Sequence, residues 1–492
     1  MLFDPGSFQS WDTEPIAVAH GRDYPEYAAE RAAAAEATGV DESVITGRGL
    51  IRGRPVAILA GEFGFLAGSI GVAAGERLVQ AIERATRERL PLMAAPSSGG
   101  TRMQEGAVAF VQMIKITQAI VAHKRAALPY LVYLRDPTTG GVFASWGSLG
   151  HVTAAEPGAR VGFLGPRVFR ALFGKEFPRH VQTAENLVAR GLIDAIVRPD
   201  RLADLTDRVL ALIEDRPDLD AAPAEPPAGV SVPATSVRTD AWEAVQRSRR
   251  SGRPHVAQLL RLAAHDVLVL NGTGAGESHP GLLLTFARFG QASCVLLGQD
   301  RPGQEAERPL GPDALRQARR GMRLADELGL PLVTVIDTPG AALTVEAEEG
   351  GLAGEIARSL ADLVALRAPT VALLMGQGSG GGALALAAAD RVLAAQHAWL
   401  SPLSPEGASS IVHRDTDHAA EMARRQGIGA VDLVGQGIVD LIVPEHPDAA
   451  DEPEAFCRRL GAALEWELLS LARLDTAERL AQRAERFRRL GL

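Results

Sequence analysis

Ala368-Pro369-Thr370-Val371-Ala372-Leu373-Leu374-Met375 runs into Gly376-Gln377-Gly378-Ser379-Gly380-Gly381-Gly382-Ala383. The first half is apolar at successive positions, as a strand covered on both faces of a sheet must be, and the second is a glycine turn entering a helical pattern. A similar passage stands 240 positions earlier, where Leu128-Pro129-Tyr130-Leu131-Val132-Tyr133-Leu134 leads to Asp136-Pro137-Thr138-Thr139-Gly140-Gly141. The same spacing separates Pro91-Leu92-Met93-Ala94-Ala95 from Pro331-Leu332-Val333-Thr334-Val335-Ile336, each preceded by a helical pattern, 75–90 and 314–330. Further on, Gly191-Leu192-Ile193-Asp194-Ala195-Ile196-Val197 matches Gly437-Ile438-Val439-Asp440-Leu441-Ile442-Val443, now 246 positions apart. Three landmarks in one order, at a period far longer than a solenoid repeat, indicate two copies of a whole domain.

Within each copy, short apolar runs alternate with helical stretches of about a dozen residues, the pattern of parallel strands joined by crossover helices, so the fold class is α/β. Between the copies the composition changes: Asp215-Arg216-Pro217 opens a stretch that includes Ala221-Ala222-Pro223-Ala224-Glu225-Pro226-Pro227. Such backbone is extended and buries little, which predicts domains at 1–214 and 240–492 joined by a linker at 215–239. The segment 462–492 reads as one long amphipathic helix for domain packing or oligomerisation.

The 492 residues carry a formal net charge of −9 without a long basic run, which argues against nucleic acid as a partner. Cys294 and Cys457 are the only cysteines, too few for a disulfide framework or a thiolate zinc site, and no metal is expected. No run of eighteen apolar residues and no basic-then-apolar leader is present, so no membrane partner is expected and a cytoplasmic protein is the reading.

Four strands end in glycine turns: Ser97-Ser98-Gly99-Gly100-Thr101-Arg102, Thr139-Gly140-Gly141, Asp337-Thr338-Pro339-Gly340-Ala341, and Ser379-Gly380-Gly381-Gly382-Ala383. Glycines before a helix leave N–H groups unshielded by any Cβ, a geometry that holds an anion or a developing oxyanion. The plainer reading, a tight turn relieved of crowding, suffices for one such turn but less well for matched pairs in both copies. Gly376, Gly378 and Gly381 have dinucleotide-fingerprint spacing, but the turn lies late in its domain and no acidic residue closes a following strand. Gly272-Thr273-Gly274-Ala275-Gly276 lacks the lysine of a P-loop. Neither a Gly-x-Ser-x-Gly elbow nor a His-Glu-x-x-His pair occurs. Glu105 is a general-base candidate that also suits a helix start, and Arg102 a candidate for a phosphate or carboxylate that also suits a surface role.

At these turns the chain resembles the carboxyltransferase component of biotin-dependent acyl-CoA carboxylases, specifically a fusion of the beta and alpha subunits of the acetyl-CoA carboxylase carboxyltransferase. The beta-like motifs are Phe65-Leu66-Ala67-Gly68-Ser69-Ile70-Gly71, Ser98-Gly99-Gly100-Thr101-Arg102-Met103-Gln104-Glu105, Ala155-Glu156-Pro157-Gly158-Ala159 and Gly162-Phe163-Leu164-Gly165-Pro166-Arg167-Val168. The alpha-like motifs are Ile336-Asp337-Thr338-Pro339-Gly340-Ala341, Ala347-Glu348-Glu349-Gly350-Gly351, Gly378-Ser379-Gly380-Gly381-Gly382-Ala383-Leu384-Ala385 and Ser404-Pro405-Glu406-Gly407. The resemblance implies two tandem crotonase-like domains, with the site formed between the N-domain of one protomer and the C-domain of its mate, hence a homodimer or higher homo-oligomer.

It also implies transfer of a carboxyl group from carboxybiotin on a carrier protein to the α-carbon of acetyl-CoA or another short acyl-CoA. The Gly140 and Gly141 amides would hold the acyl thioester oxygen and those of Gly382 and Ala383 the biotin urea oxygen. No side-chain base is required. Ser98, Gly99, Gly100, Arg102, Gly340, Ala341, Gly381 and Ala385 would line the substrates.

Biotin, supplied on the carrier, and a coenzyme A ester are the implied cofactor and substrate. A biotin carboxylase and a biotin carrier, separate or on one chain, are the implied partners, since the sequence holds no Met-Lys-Met biotinylation motif. The family's four-cysteine zinc ribbon is missing, Ala342-Leu343-Thr344 replaces a usual Tyr-Pro-Gly, and Ala385 stands where propionyl-type relatives have Asp, which leaves acyl preference open. The reverse decarboxylation and a non-catalytic assembly role are the competing readings. A crotonase-type hydratase would want carboxylates at its turns.

Overall fold

The computed structural model describes residues 2–16, 24, 26–178, 180–219, 225–227, 239–304 and 308–491. The chain divides into two compact units, one of 1–211 with 274–276, the other of 212–273 with 277–492. Each is built on one mixed sheet.

In the first unit the strands lie in the order Gln9–Ser10, Val44–Ile51, Arg54–Gly61, Leu92–Ala95, Tyr130–Leu134, Val152–Ala155, Ala195–Ile196. The first two pairings are antiparallel and the rest parallel. The second unit repeats this plan: Asp266–Leu270, Leu282–Phe289, Ala292–Gln299, Leu332–Thr338, Thr370–Ser379, Arg391–Ala395, Leu441–Val443. Again two antiparallel pairings precede the parallel ones, and Trp399–Ser401 pairs with the outer end of Thr370–Ser379.

The prolines that mark the repeat sit at equivalent ladder positions. Leu92 N donates to Pro129 O at 2.9 Å and Leu332 N to Pro369 O at 2.8 Å. Pro91 O and Pro331 O accept from Ala57 N and Val295 N at 2.9 and 2.8 Å. A proline just before a strand gives up a donor the ladder does not need there and keeps its acceptor. The late landmark works the same way in both units. Thr153 N donates to Asp194 Oδ2 at 2.9 Å, and Val392 N to Asp440 Oδ2 at 2.7 Å.

The predicted crossover helices form as Val72–Arg87 and Pro312–Leu328. Helix Gly106–Arg125 packs on Val72–Arg87 so closely that a Cβ at Gly75 would meet Gln112 Cβ at 2.9 Å. Together with Met103–Glu105 it is long and apolar enough to cross a membrane by length and composition, yet its Gln112, Met113, Ile116 and Ile120 face is buried in the first unit.

Two expectations are revised. The C-terminal segment is not one helix but two, Pro453–Ala472 and Thr476–Arg489, because Asp475 caps the second, accepting from Ala477 N and Glu478 N at 2.9 and 3.1 Å. The expected linker, 215–239, begins as docked chain: Arg473 Nη2 donates to Leu219 O at 2.7 Å and Asp218 N to Gln291 Oε1 at 3.4 Å. Most of the remainder, 220–224 and 228–238, lies outside the described residues.

Candidate active site

In each unit two central parallel strands deliver two glycine turns to one another. In the first, strand Leu92–Ala95 leads to Ser97–Thr101, and Tyr130–Leu134 leads through Thr138–Thr139 to a short helix, Gly140–Phe143. The turns touch: a Cβ at Gly100 would stand 3.5 Å from both Gly140 Cα and Gly141 N. Gly100 (φ +112°) and Gly140 (φ +61°) hold backbone that side chains rarely adopt. Their counterparts 240 positions on, Gly340 (φ +143°) and Gly380 (φ +65°), do the same in the second unit. There a Cβ at Gly382 would lie 3.4 Å from Ala341 N.

The hydrogen bonds say which amides remain for a ligand. Gly99 N donates to Ala67 O at 2.8 Å, Gly100 N to Ser98 Oγ at 3.0 Å, and Arg102 N to Ile70 O at 3.0 Å. Thr101 N between them has no acceptor among the described residues, and Gly141 N, in the first turn of its short helix, has no acceptor within that helix. Gly140 N continues the parallel ladder of Thr138–Thr139 toward Gly162. In the second unit Gly340 N donates to Thr338 Oγ1 at 3.1 Å and Ala342 N to Leu310 O at 2.9 Å, while Ala341 N has no acceptor among the described residues. The helix there starts at Gly380 after Ser379, whose carbonyl takes the first intrahelical bond from Ala383. Gly381 and Gly382, in its first turn, have no acceptor within the helix, whereas the Ala383 amide begins the helix's own ladder. Thr101 was missed by sequence reasoning, although the 240-residue offset applied to Ala341 points to it.

Packing places three further expected residues. Arg102 is 0% exposed. Its guanidinium is spent on Glu42, with which it forms a buried ion pair, on Ser43 Oγ at 3.1 Å, on Ser69 O at 2.7 Å and on Tyr27 Oη at 3.3 Å. Ser98 is buried and its hydroxyl donates to Gly68 O at 2.6 Å while accepting from Gly100 N, so it shapes the turn. Ala385 is buried in an apolar cluster with Leu315, Ala342, Ala347 and Leu352, against which Ala341 packs.

Glu105 is equally a brace. Its carboxylate accepts from Tyr27 Oη at 2.5 Å and from Val72 N at 2.6 Å. Burial and this bond push the Tyr27 hydroxyl up to about 12, so it stays a donor. Both Glu105 oxygens and the Arg102 guanidinium are buried and hydrogen-bonded within the chain, a bracing arrangement.

His397, Glu445 and Asp448 form a buried group with metal-ligand chemistry in the second unit. Its members are already ion-paired: Arg253 gives two 2.7 Å bonds to Glu445, His397 Nδ1 lies 2.7 Å from the same carboxylate, and Arg250 Nη1 stands 3.0 Å from Asp448 Oδ2. Burial pushes the Glu445 carboxyl up, but His397 and Arg253 hold it well below the usual carboxylate range. An ion-pair cluster accounts for these residues.

The carboxyl transferase domain family matches residues 3–479. A probable biotin-dependent acyl-coenzyme A carboxylase beta3 subunit of Mycobacterium tuberculosis is 58% identical over 491 residues, covering 100% of this chain and 97% of the relative. The acetyl-coenzyme A carboxylase carboxyl transferase subunits beta/alpha of Salinispora tropica are 38% identical, covering 100% and 89%. Among solved structures, transcarboxylase 12S with hydrolysed methylmalonyl-coenzyme A bound superposes with a TM-score of 0.71 at 23% identity, over 94% of this chain and 87% of that one. Glycine turns paired in two copies of one α/β unit and matches along nearly the whole chain agree, and the chain belongs to the carboxyl transferase family, with subunits of biotin-dependent acyl-CoA carboxylases among its relatives.

Proposed function

We propose that this chain is the carboxyltransferase subunit that moves a carboxyl group from carboxybiotin on a carrier protein to acetyl-CoA or a similar short acyl-CoA, each unit being a crotonase-like domain. The observation that carries the reading is the duplicated arrangement of turn amides: Thr101 and Ala341, without an acceptor among the described residues, face Gly141 in one unit and Gly381 and Gly382 in the other, each in the first turn of a short helix. Carboxyl transfer places negative charge on two different oxygens, one on the thioester and one on the biotin urea, and a duplicated oxyanion site serves both. Uncharged backbone donors suit this task because they need no proton of their own and no reorganisation as charge develops.

Biotin, when presented by its carrier, supplies the activated carboxyl group. In the first unit Thr101 and Gly141 hold the thioester oxygen. In the second Ala341, Gly381 and Gly382 hold the urea oxygen. Two aligned amides contribute roughly 3 kcal/mol each to such a charge. Arg102, Glu105 and Tyr27 keep the first pair of turns in register and exchange no proton with substrate.

A second copy completes the site. Near the turns stand apolar side chains that water covers in the single chain: Met103 and Ile114 in the first unit, Leu343 (92% exposed) and Leu384 in the second. Large apolar surface beside a charged reaction is what a partner protomer would bury. A biotin carboxylase and a biotin carrier are the external partners.

The test is forward carboxylation: carboxylated carrier protein offered with acetyl-CoA, propionyl-CoA and longer acyl-CoAs in parallel. Carboxyl transfer with highest kcat/KM for one short ester supports the reading and names the substrate. A folded protein that accepts no carboxyl group from the carrier contradicts it, and favours the assembly role.

A further inference from the structure

The three glycines at 380–382 leave their amides accessible, but a chain of glycines is also the segment most free to move, since no side chain anchors it. The helix they start is only five residues long, Gly380–Leu384. It ends too soon for the Gly382 carbonyl to find an intrahelical donor, since Leu386 N donates instead to Ala383 O at 3.1 Å. One side chain meets that need. Gln299, the last residue of strand Ala292–Gln299 and 0% exposed, donates from Nε2 to Gly382 O at 2.7 Å. Its Oε1 accepts from Asp337 N at 3.2 Å.

The bridge spans a break in the sheet. Between Ile336 and Thr338 the parallel register of Leu332–Thr338 with Thr370–Ser379 shifts, from Ile336 opposite Leu374 to Thr338 opposite Gly378. Asp337 fills the gap, accepting from Gln377 N at 3.0 Å and from Arg301 at 2.6 Å. Gln299 ties the neighbouring end of that strand to the glycine turn. In the first unit the matching ladder position is Gly61, as Ala57 opposite Leu92 corresponds to Val295 opposite Leu332. A Cβ at Gly61 would stand 2.6 Å from Ser97 N, so backbone fills the space there. The glutamine is thus no requirement of the repeated fold. It belongs to one of the two turns.

We propose that Gln299 is the positioning residue of the second unit's oxyanion turn, holding the Gly381 and Gly382 amides in place for the urea oxygen of biotin. The inference rests on the function proposed above. Gln299 touches no substrate and acts through the Gly382 carbonyl.

The test is a comparison of the unaltered full-length chain with Gln299→Met and Gln299→Glu. Met keeps the length and deletes both hydrogen bonds, whereas Glu keeps the acceptor for Asp337 N and deletes the donor to Gly382. The readouts are biocytin-dependent decarboxylation of malonyl-CoA or methylmalonyl-CoA, affinity for the CoA ester by calorimetry, and thermal unfolding. Both variants are expected to lose up to about 100-fold in kcat/KM for biocytin, the scale of a misplaced catalytic group. CoA-ester affinity should stay unchanged.

Biocytin kinetics equal to those of the unaltered chain in either folded variant overturn the proposal. So does a parallel loss of CoA-ester affinity, which marks a general structural role. If Gln299→Met does not fold, Gln299→Glu decides alone. An unaltered chain that shows no biocytin-dependent release overturns the function itself, and this proposal with it.

Discussion

At Gly141 a side chain would stand against the opposite turn: a Cβ there would lie 3.2 Å from Thr101 Oγ1 and 3.5 Å from Met113 Cγ. The branched methyls of Gly141→Val extend beyond that Cβ, into the space where the proposed thioester oxygen sits. Turnover should fall by about 100-fold or more, with CoA-ester affinity and fold largely kept, as measured by steady-state kinetics beside calorimetry. Glu105→Gln should behave in the opposite way. Its carboxylate braces Tyr27 and the Val72 amide, so its loss weakens folding while turnover per folded molecule persists. Loss of turnover from a fully folded Glu105→Gln protein would contradict a site without a side-chain base. Arg102→Met strands Glu42 as a buried, unpaired carboxylate, and chemical denaturation should show a loss on the order of 3–5 kcal/mol. These brace roles were not legible in the sequence. The partners Tyr27, Glu42 and Ser69 lie 33 to 75 positions from Arg102, and nothing in local pattern joins them.

The strands and their glycine turns were legible because they are local: an apolar run, a proline before it, a glycine after it. The split of the C-terminal segment was not, since Asp475 caps a helix inside an unbroken amphipathic pattern. That last helix is held by a buried acid. Asp390 accepts from Arg483 at 2.7 Å on each oxygen and from Arg479 at 3.0 Å. Burial pushes this carboxyl up, but the arginines and the Thr370 amide win and hold it below its ordinary range. Its contribution is therefore present at neutral pH and fades as pH falls through the lowered value. Glu467, on the preceding helix, has the reverse sign. Burial raises it to about 7, against the weaker pull of Arg391 at 3.7 Å. Its contribution is complete below about 4.5 and is lost as pH rises through 7. Glu467→Gln should accordingly leave stability unchanged near pH 4 and raise it at pH 8 by roughly 2–3 kcal/mol, read from denaturant unfolding at the two pH values.

For the molecule as a whole, duplication is the organising fact. The two units share strand order, turn glycines and proline positions, yet have diverged in how each turn is secured, by a buried Arg102–Glu42 pair in one and by Gln299 in the other. Such divergence suits two turns that hold different oxygens. The proposed pairing with a second copy gives its own expectation: Ile114→Asp, at a side chain 71% exposed in the single chain, should yield a folded monomer by sedimentation with little turnover. An active monomer would contradict the shared site. The central claim, duplicated backbone donors acting on two oxyanions, is tested most directly without any partner. Purified protein is mixed with malonyl-CoA, then with methylmalonyl-CoA, each with and without free biocytin, and release of the decarboxylated CoA ester is followed. Biocytin-dependent release with at least one ester, abolished in Gly141→Val, is the predicted result, and a folded protein that releases nothing from either ester, or releases equally without biocytin, would contradict it.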